Sequence, residues 1–121
     1  MQRVLGVVGL TLALALPAAG APESTASLLP ACRLYVQSAD QGQRLRLERG
    51  VCIGTIETVL RLHRELRADY RFCPPEQLTL KTAVETVVVF AGTRKSLDAP
   101  LHELAIQAYQ QKWPCGASDP Q

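Results

Sequence analysis

Four cysteines, Cys32, Cys52, Cys73 and Cys115, constrain this chain more than any other feature. No two of them form a C-x-x-C pair, so the motifs of a thioredoxin-type redox centre, a zinc ribbon and a c-type haem site are missing. An even number of widely spaced cysteines in a small exported chain points instead to two structural disulfides. Cys115 makes the case sharply, because it stands close to the end of the sequence, where chains usually fray and a lone thiol has little to pack against. As half of a bridge it has a purpose: it anchors the last helix to the body of the domain.

Export is read at the other end. "MQR" supplies a positive charge at Arg3, residues 4–16 ("VLGVVGLTLALAL") are apolar and uncharged, and Pro17 with "AAGA" follows. That is the layout of a secretory signal peptide over residues 1–21, with small residues allowing cleavage after Gly20 or Ala21. The apolar run falls short of the ~20 residues that span a bilayer. No cysteine lies at the cut to carry a lipid, so no membrane anchor is expected after cleavage. Residues 22–121 then form one domain of about 100 residues.

The whole chain of 121 residues carries 13 Lys+Arg and 11 Asp+Glu, and loss of Arg3 with the signal peptide leaves 12 against 11, a net charge of +1. Nucleic-acid binding asks for a basic excess or an aromatic and basic surface, and neither is present. The arginines between Arg44 and Arg71 are interleaved with Glu48, Glu57, Glu65 and Asp69, the pattern of a solvated helix face.

Four segments have helical periodicity, so the expected fold is all-α, a small disulfide-bonded bundle of about four helices. The first covers about 27–39, with Leu28, Leu29, Cys32, Tyr35 and Val36 near helical spacing, Pro30 placed in the first turn, and "ADQGQ" as the stop. The second covers about 47–68, with an apolar stripe through Cys52, Ile56, Val59, Leu60, His63 and Leu66. Gly54 in its interior is expected to mark the close approach of another helix. Glu57 with Arg61, and Arg61 with Glu65, are spaced to pair along its surface.

"FCPP" breaks that helix, since each proline disfavours helical geometry in the residue before it. Thr79 is a fitting N-cap for a third helix, "LKTAVETVVVFA", with Thr82 and Glu85 a competing capping box. "VETVVVF" has strand propensity, but Leu80, Val84, Val87, Val88 and Ala91 follow a helical stripe. Gly92 suits a helix end, and Ser96 or Asp98 suits the next N-cap. The last helix runs over 100–112, with Leu101, Leu104, Ala105, Ala108 and Tyr109 on one face, and Pro114 stops it. Four cysteines allow three connectivities. Among them, Cys73 with Cys115 would clamp the entrance of helix three to the exit of helix four, leaving Cys32 with Cys52 to join helices one and two.

"CIG" on a helix, "FCPP" before a Leu/Val-rich helix, and a Pro-initiated helix ending in "WPC" together resemble the Rap1a/Tai family of periplasmic immunity proteins. The likeness runs from Cys32 to Cys115 and is most specific in the C-terminal half, through Cys73, Pro75 and Trp113-Pro114-Cys115. The chain has Thr55 and Thr58 where the family tends to have an aromatic residue and a second glycine, and Thr93-Arg94-Lys95 where it tends to have His-Pro. The resemblance implies a periplasmic homodimer that blocks a cell-wall amidase toxin of type VI secretion by covering its active-site groove. It implies no enzymatic activity, cofactor or metal. The polar loop "GTRKSLDAP" lies between two helices, where binding residues tend to sit, and Arg94, Lys95 and Asp98 are its candidate partner-binding residues, capable of charge-assisted hydrogen bonds.

Two other functional classes compete with this reading. Catalysis would need a nucleophile with a base, but His63 belongs to an apolar stripe, His102 stands alone at a helix start facing solvent, and the cysteines serve better as bridges. A small periplasmic chaperone or structural envelope protein would use the same scaffold. A chaperone would loosen under stress, whereas an inhibitor stays rigid and binds one partner stoichiometrically.

Overall fold

The computed structural model describes residues 23–37 and 44–116. The expected signal peptide (residues 1–21) and the expected stop at "ADQGQ" lie outside the described residues. The elements are α1 (Thr25–Gln37), α2 (Arg44–Arg61), a single 3₁₀ turn (Ala68–Tyr70), α3 (Leu80–Ala91) and α4 (Leu101–Lys112), with no strand among the described residues. Helix α1 packs on α2 and α3, and α4 closes the bundle against α3 and α2. "VETVVVF" is helical because Val84 and Val87 are fully buried on one face, and that burial outweighs β propensity. Ile56, Val84, Val87 and Leu101 are each at most 1 % exposed, and burying such a side chain contributes about 1.5–3 kcal/mol.

Two disulfides fasten this core. Cys32 is bonded to Cys52, which staples α1 to α2, and both residues are fully buried. Cys73 is bonded to Cys115, joining the approach to α3 to the chain beyond α4. Beside that second bridge the Cys73 amide donates to the Trp113 carbonyl at 2.8 Å, so the two strands of chain are tied by backbone as well. No cysteine is free among the described residues.

Several local expectations are corrected. Helix α2 begins earlier than residue 47 and ends at Arg61, not near Ala68. His63 Nδ1 donates to the Leu60 carbonyl at 2.7 Å, which takes an acceptor a continuing helix would use, and the Glu65 amide turns back to Leu62 at 2.9 Å. The Arg71 Nε donates to the Leu66 carbonyl at 2.9 Å, holding the turned chain in place. Arg61 consequently pairs with Glu57 at 3.0 Å, while Glu65 lies past the helix end. Pro30 sits beyond the first turn of α1, because the helix starts at Thr25. Both Pro30 and Ala26 are exposed, so the carbonyl that the proline leaves unpaired is open to water.

Gly54 is not a point of close approach: it is exposed, and an added Cβ would meet nothing within 4 Å. Thr79 is the N-cap of α3, its hydroxyl accepting from the Thr82 amide at 3.2 Å. Gly92 does end α3, yet with φ −63° it uses no glycine-only conformation. Neither Ser96 nor Asp98 caps α4; Pro100 holds the N-cap position without a side-chain bond.

Candidate functional site

The loop over residues 92–100 joins α3 to α4 and is tied down at both ends. At its start the Thr93 amide and hydroxyl both donate to the Phe90 carbonyl, at 3.0 and 2.7 Å, and the Arg94 amide donates to Ala91 at 3.1 Å. At its end the first turn of α1 reaches across. The Thr25 amide and hydroxyl each donate to the Ala99 carbonyl at 2.8 Å, and the Ala26 amide donates to Leu97 at 3.0 Å. Thr25 is fully buried, and Leu97 packs against the core. These bonds tie the start of α1 to the limb of the loop that leads into α4.

Residues 92–96 and Asp98 remain exposed. The Ser96 hydroxyl donates to the Asp98 carboxylate at 2.7 Å and accepts from the Asp98 amide at 3.3 Å, a small knot that stiffens the tip. The Arg94 guanidinium lies over the Phe90 ring, 5.5 Å from its centroid. Arg94 and Lys95 take part in no ion pair among the described residues. The three candidate residues therefore share one exposed tip, but in unequal states: the two cations are uncompensated, while Asp98 is engaged by Ser96. The arrangement is an exposed loop tip with two cations, groups chemically able to make charge-assisted hydrogen bonds.

The two histidines are far from equivalent. His63 is half-buried, bonded to Leu60 and 5.7 Å from the Phe72 ring, as expected of a packing histidine, although it lies past the end of α2. His102 is exposed at the start of α4, beside Val51, Gly54 and Thr58 of α2. No three His, Cys, Asp or Glu side chains converge among the described residues.

Sequence reasoning missed two features. One is the aromatic column from His63 through Phe72 and Tyr109 to Trp113, with successive centroids 5.7, 5.0 and 5.2 Å apart. Tyr109 and Trp113 are one helical turn apart at the end of α4, but His63 and Phe72 come from two other segments, so no periodicity joins the whole column. The other is Thr25, which looks like any polar residue ahead of an apolar run.

The fold and loop together define a disulfide-stapled helical scaffold with an exposed, tethered loop between α3 and α4. The chain belongs to the Rap1a immunity proteins, whose family model matches residues 24–115. No curated protein and no solved structure matches it. Its role is thus immunity to an effector through binding of a cognate toxin, and the family is one of inhibitors, not of enzymes. The two disulfides call for an oxidising compartment. No described helix is long and apolar enough to cross a membrane.

Proposed function

We propose that this is a periplasmic immunity protein that binds a peptidoglycan amidase toxin of type VI secretion and blocks its substrate groove with the loop over residues 92–100. Residues 1–21 serve as the export signal and residues 22–121 as the inhibitory domain, which acts as a homodimer. The single observation that carries the reading is the way the loop is held. Thr25 and Ala26 fix its C-terminal limb, the end of α3 fixes the other, and Arg94 and Lys95 stand exposed between them. A protrusion ordered before binding loses little conformational entropy when it enters a cleft, which favours tight inhibition. Arg94 and Lys95 engage acceptors at the rim of the cleft. Asp98, oriented by Ser96, offers its carboxylate to a donor. Inhibition is steric: a filled groove cannot admit the peptide stem of peptidoglycan.

Affinity capture on the immobilised, oxidised domain, followed by an amidase assay on purified peptidoglycan, tests this. A single small amidase retained in stoichiometric amount, and inhibited by the wild-type domain but less by Arg94→Ala/Lys95→Ala, is the expected result. Retention of many unfolded envelope proteins would identify a chaperone, and full inhibition by the double variant would remove the loop from the interface.

A further inference from the structure

Disulfides are made and remade by thiolate attack on sulfur through a mixed disulfide, so access to sulfur decides where exchange begins. The two cysteine pairs differ sharply in access. Cys32 and Cys52 are 0 % exposed and belong to the core with Leu28, Leu29 and Ile56. A reagent meets them only before α1 and α2 have packed. Cys115 is exposed beyond the end of α4, whereas Cys73 is half-buried next to Phe72, which lies in the core.

The surroundings of the second pair are set by contacts other than the bridge itself. The Cys73 amide donates to the Trp113 carbonyl at 2.8 Å, two residues ahead of Cys115. The Gln110 side chain of α4 donates to the Asp69 carbonyl at 2.8 Å, on the approach to Cys73, and Trp113 stacks on Tyr109. Pro74 follows Cys73 and Pro114 precedes Cys115, so the backbone is restricted beside both. These contacts bring the two Cα atoms together, 5.0 Å apart in the bridged chain. Connectivity points the same way. The pairs are consecutive in sequence, with separations of 20 and 42 residues. Neither encloses a cysteine of the other, and the shorter loop loses less entropy on closing.

We propose that Cys73 and Cys115 form the thiol–disulfide exchange site of the folded protein, oxidised last, on a bundle already stapled by Cys32–Cys52, with Cys115 engaging the oxidant and Cys73 resolving. The partner chemistry is an oxidant that carries an exchangeable disulfide. Cys115 loses its proton to solvent, and its thiolate attacks one sulfur of that disulfide. A bond forms between them while the oxidant's S–S bond breaks, its other sulfur leaving as a thiolate with the electron pair. The Cys73 thiolate, its proton likewise lost to solvent, then attacks the Cys115 sulfur, which closes the bridge and expels the oxidant's second thiolate. Two protein thiols are oxidised, and one disulfide is reduced to two thiols. In the reverse direction a reducing thiolate attacks Cys115 first. None of these steps depends on which toxin is bound.

The test uses glutathione disulfide as the oxidant. The protein is reduced at Cys73 and Cys115 under mild conditions, exposed to glutathione disulfide, quenched with acid at intervals and mapped by peptide mass spectrometry. Cys73→Ser is expected to accumulate a glutathionyl adduct on Cys115, and Cys115→Ser to gain one on Cys73 about tenfold more slowly. Equal rates, or faster modification of Cys73, would overturn the assignment of roles. Circular dichroism checks that each variant stays helical, and the wild-type time course decides the matter if one does not. Its early adduct should sit on Cys115 and give way to the bridge, and an early adduct on Cys73 would overturn the proposal. Oxidation of the fully reduced chain should pass through a one-disulfide species bonded Cys32 to Cys52. A species bonded Cys73 to Cys115 with Cys32 and Cys52 still free would overturn the order, and reduction of all four cysteines together would remove the exchange site altogether.

Discussion

Tyr109 is fully buried on α4, and its hydroxyl donates to the Ala83 carbonyl of α3 at 3.0 Å. The small side chain at position 83 gives the phenol room to reach that backbone, so one residue both fills the core and pins two helices. Removing the hydroxyl in Tyr109→Phe should cost about 1 kcal/mol, read from urea melts. Burial pushes the Tyr109 phenol well above its ordinary value, and the sign of the pH effect follows from linkage. An unfolded tyrosine loses its proton near pH 10, whereas the folded one keeps it. The folded state therefore binds more protons at alkaline pH, and stability falls as pH rises above about 10 and is unaffected below it. Urea midpoints between pH 8 and 11 should decline in the wild type and decline less in Tyr109→Phe. Parallel curves would assign the alkaline loss to other groups.

Among the elements, the first turn of α1 holds the limb of the loop that leads into α4, by donating to the Ala99 and Leu97 carbonyls. Thr25→Val keeps the side-chain volume but removes the hydroxyl that donates to Ala99, and about 1 kcal/mol of stability should go with it. Because the same bond holds the loop, toxin affinity should fall too, although Thr25 is buried and touches no partner. Thr79→Ala, which deletes the cap of α3 at the far end of that helix, should cost a similar ~1 kcal/mol with affinity unchanged. That contrast separates positioning of the loop from general destabilisation. The same contrast shows what was legible beforehand. Thr79, the spans of α3 and α4 and the stripe through Val84 and Val87 follow from local rules, because capping and helical periodicity act within a dozen residues. The loop over residues 92–100 could be picked out as an exposed connector, but its rigidity could not, since Thr25 reaches Ala99 across 74 positions of sequence. The early end of α2 was hidden for a related reason: Leu66 continues the apolar stripe, while His63 and Arg71 capture carbonyls and turn the chain.

At the scale of the whole molecule the two disulfides divide the labour of stability by their depth. Cys32 and Cys52 are fully buried between α1 and α2, where a reductant reaches sulfur only if the bundle opens. Cys115 is exposed and Cys73 half-buried, so their bond is accessible while the core stays closed. Mild reductant followed by alkylation and peptide mapping should label Cys73 and Cys115 first, with Cys32 and Cys52 protected until denaturant is added. Labelling of all four at one rate would mean instead that opening is global. The accessible bridge closes a separation of 42 residues, which the loop-entropy model values at roughly 4 kcal/mol. A domain of this size has about 5–15 kcal/mol in all, so its loss leaves a folded but weakened bundle. The selectively reduced protein should keep its helical circular dichroism at 25 °C and melt on the order of 15 °C lower. Its tryptophan fluorescence should change as well, because Trp113 stacks on Tyr109 beside the severed bridge and loses the restraint that held the end of the chain. The loop over residues 92–100 is fixed by Thr25 and Ala26 at its far limb and not by this bridge. Toxin affinity measured below the lowered melting point should therefore survive reduction within a few-fold, and a larger loss would show that the clamp at the base of α4 also sets the posture of the loop.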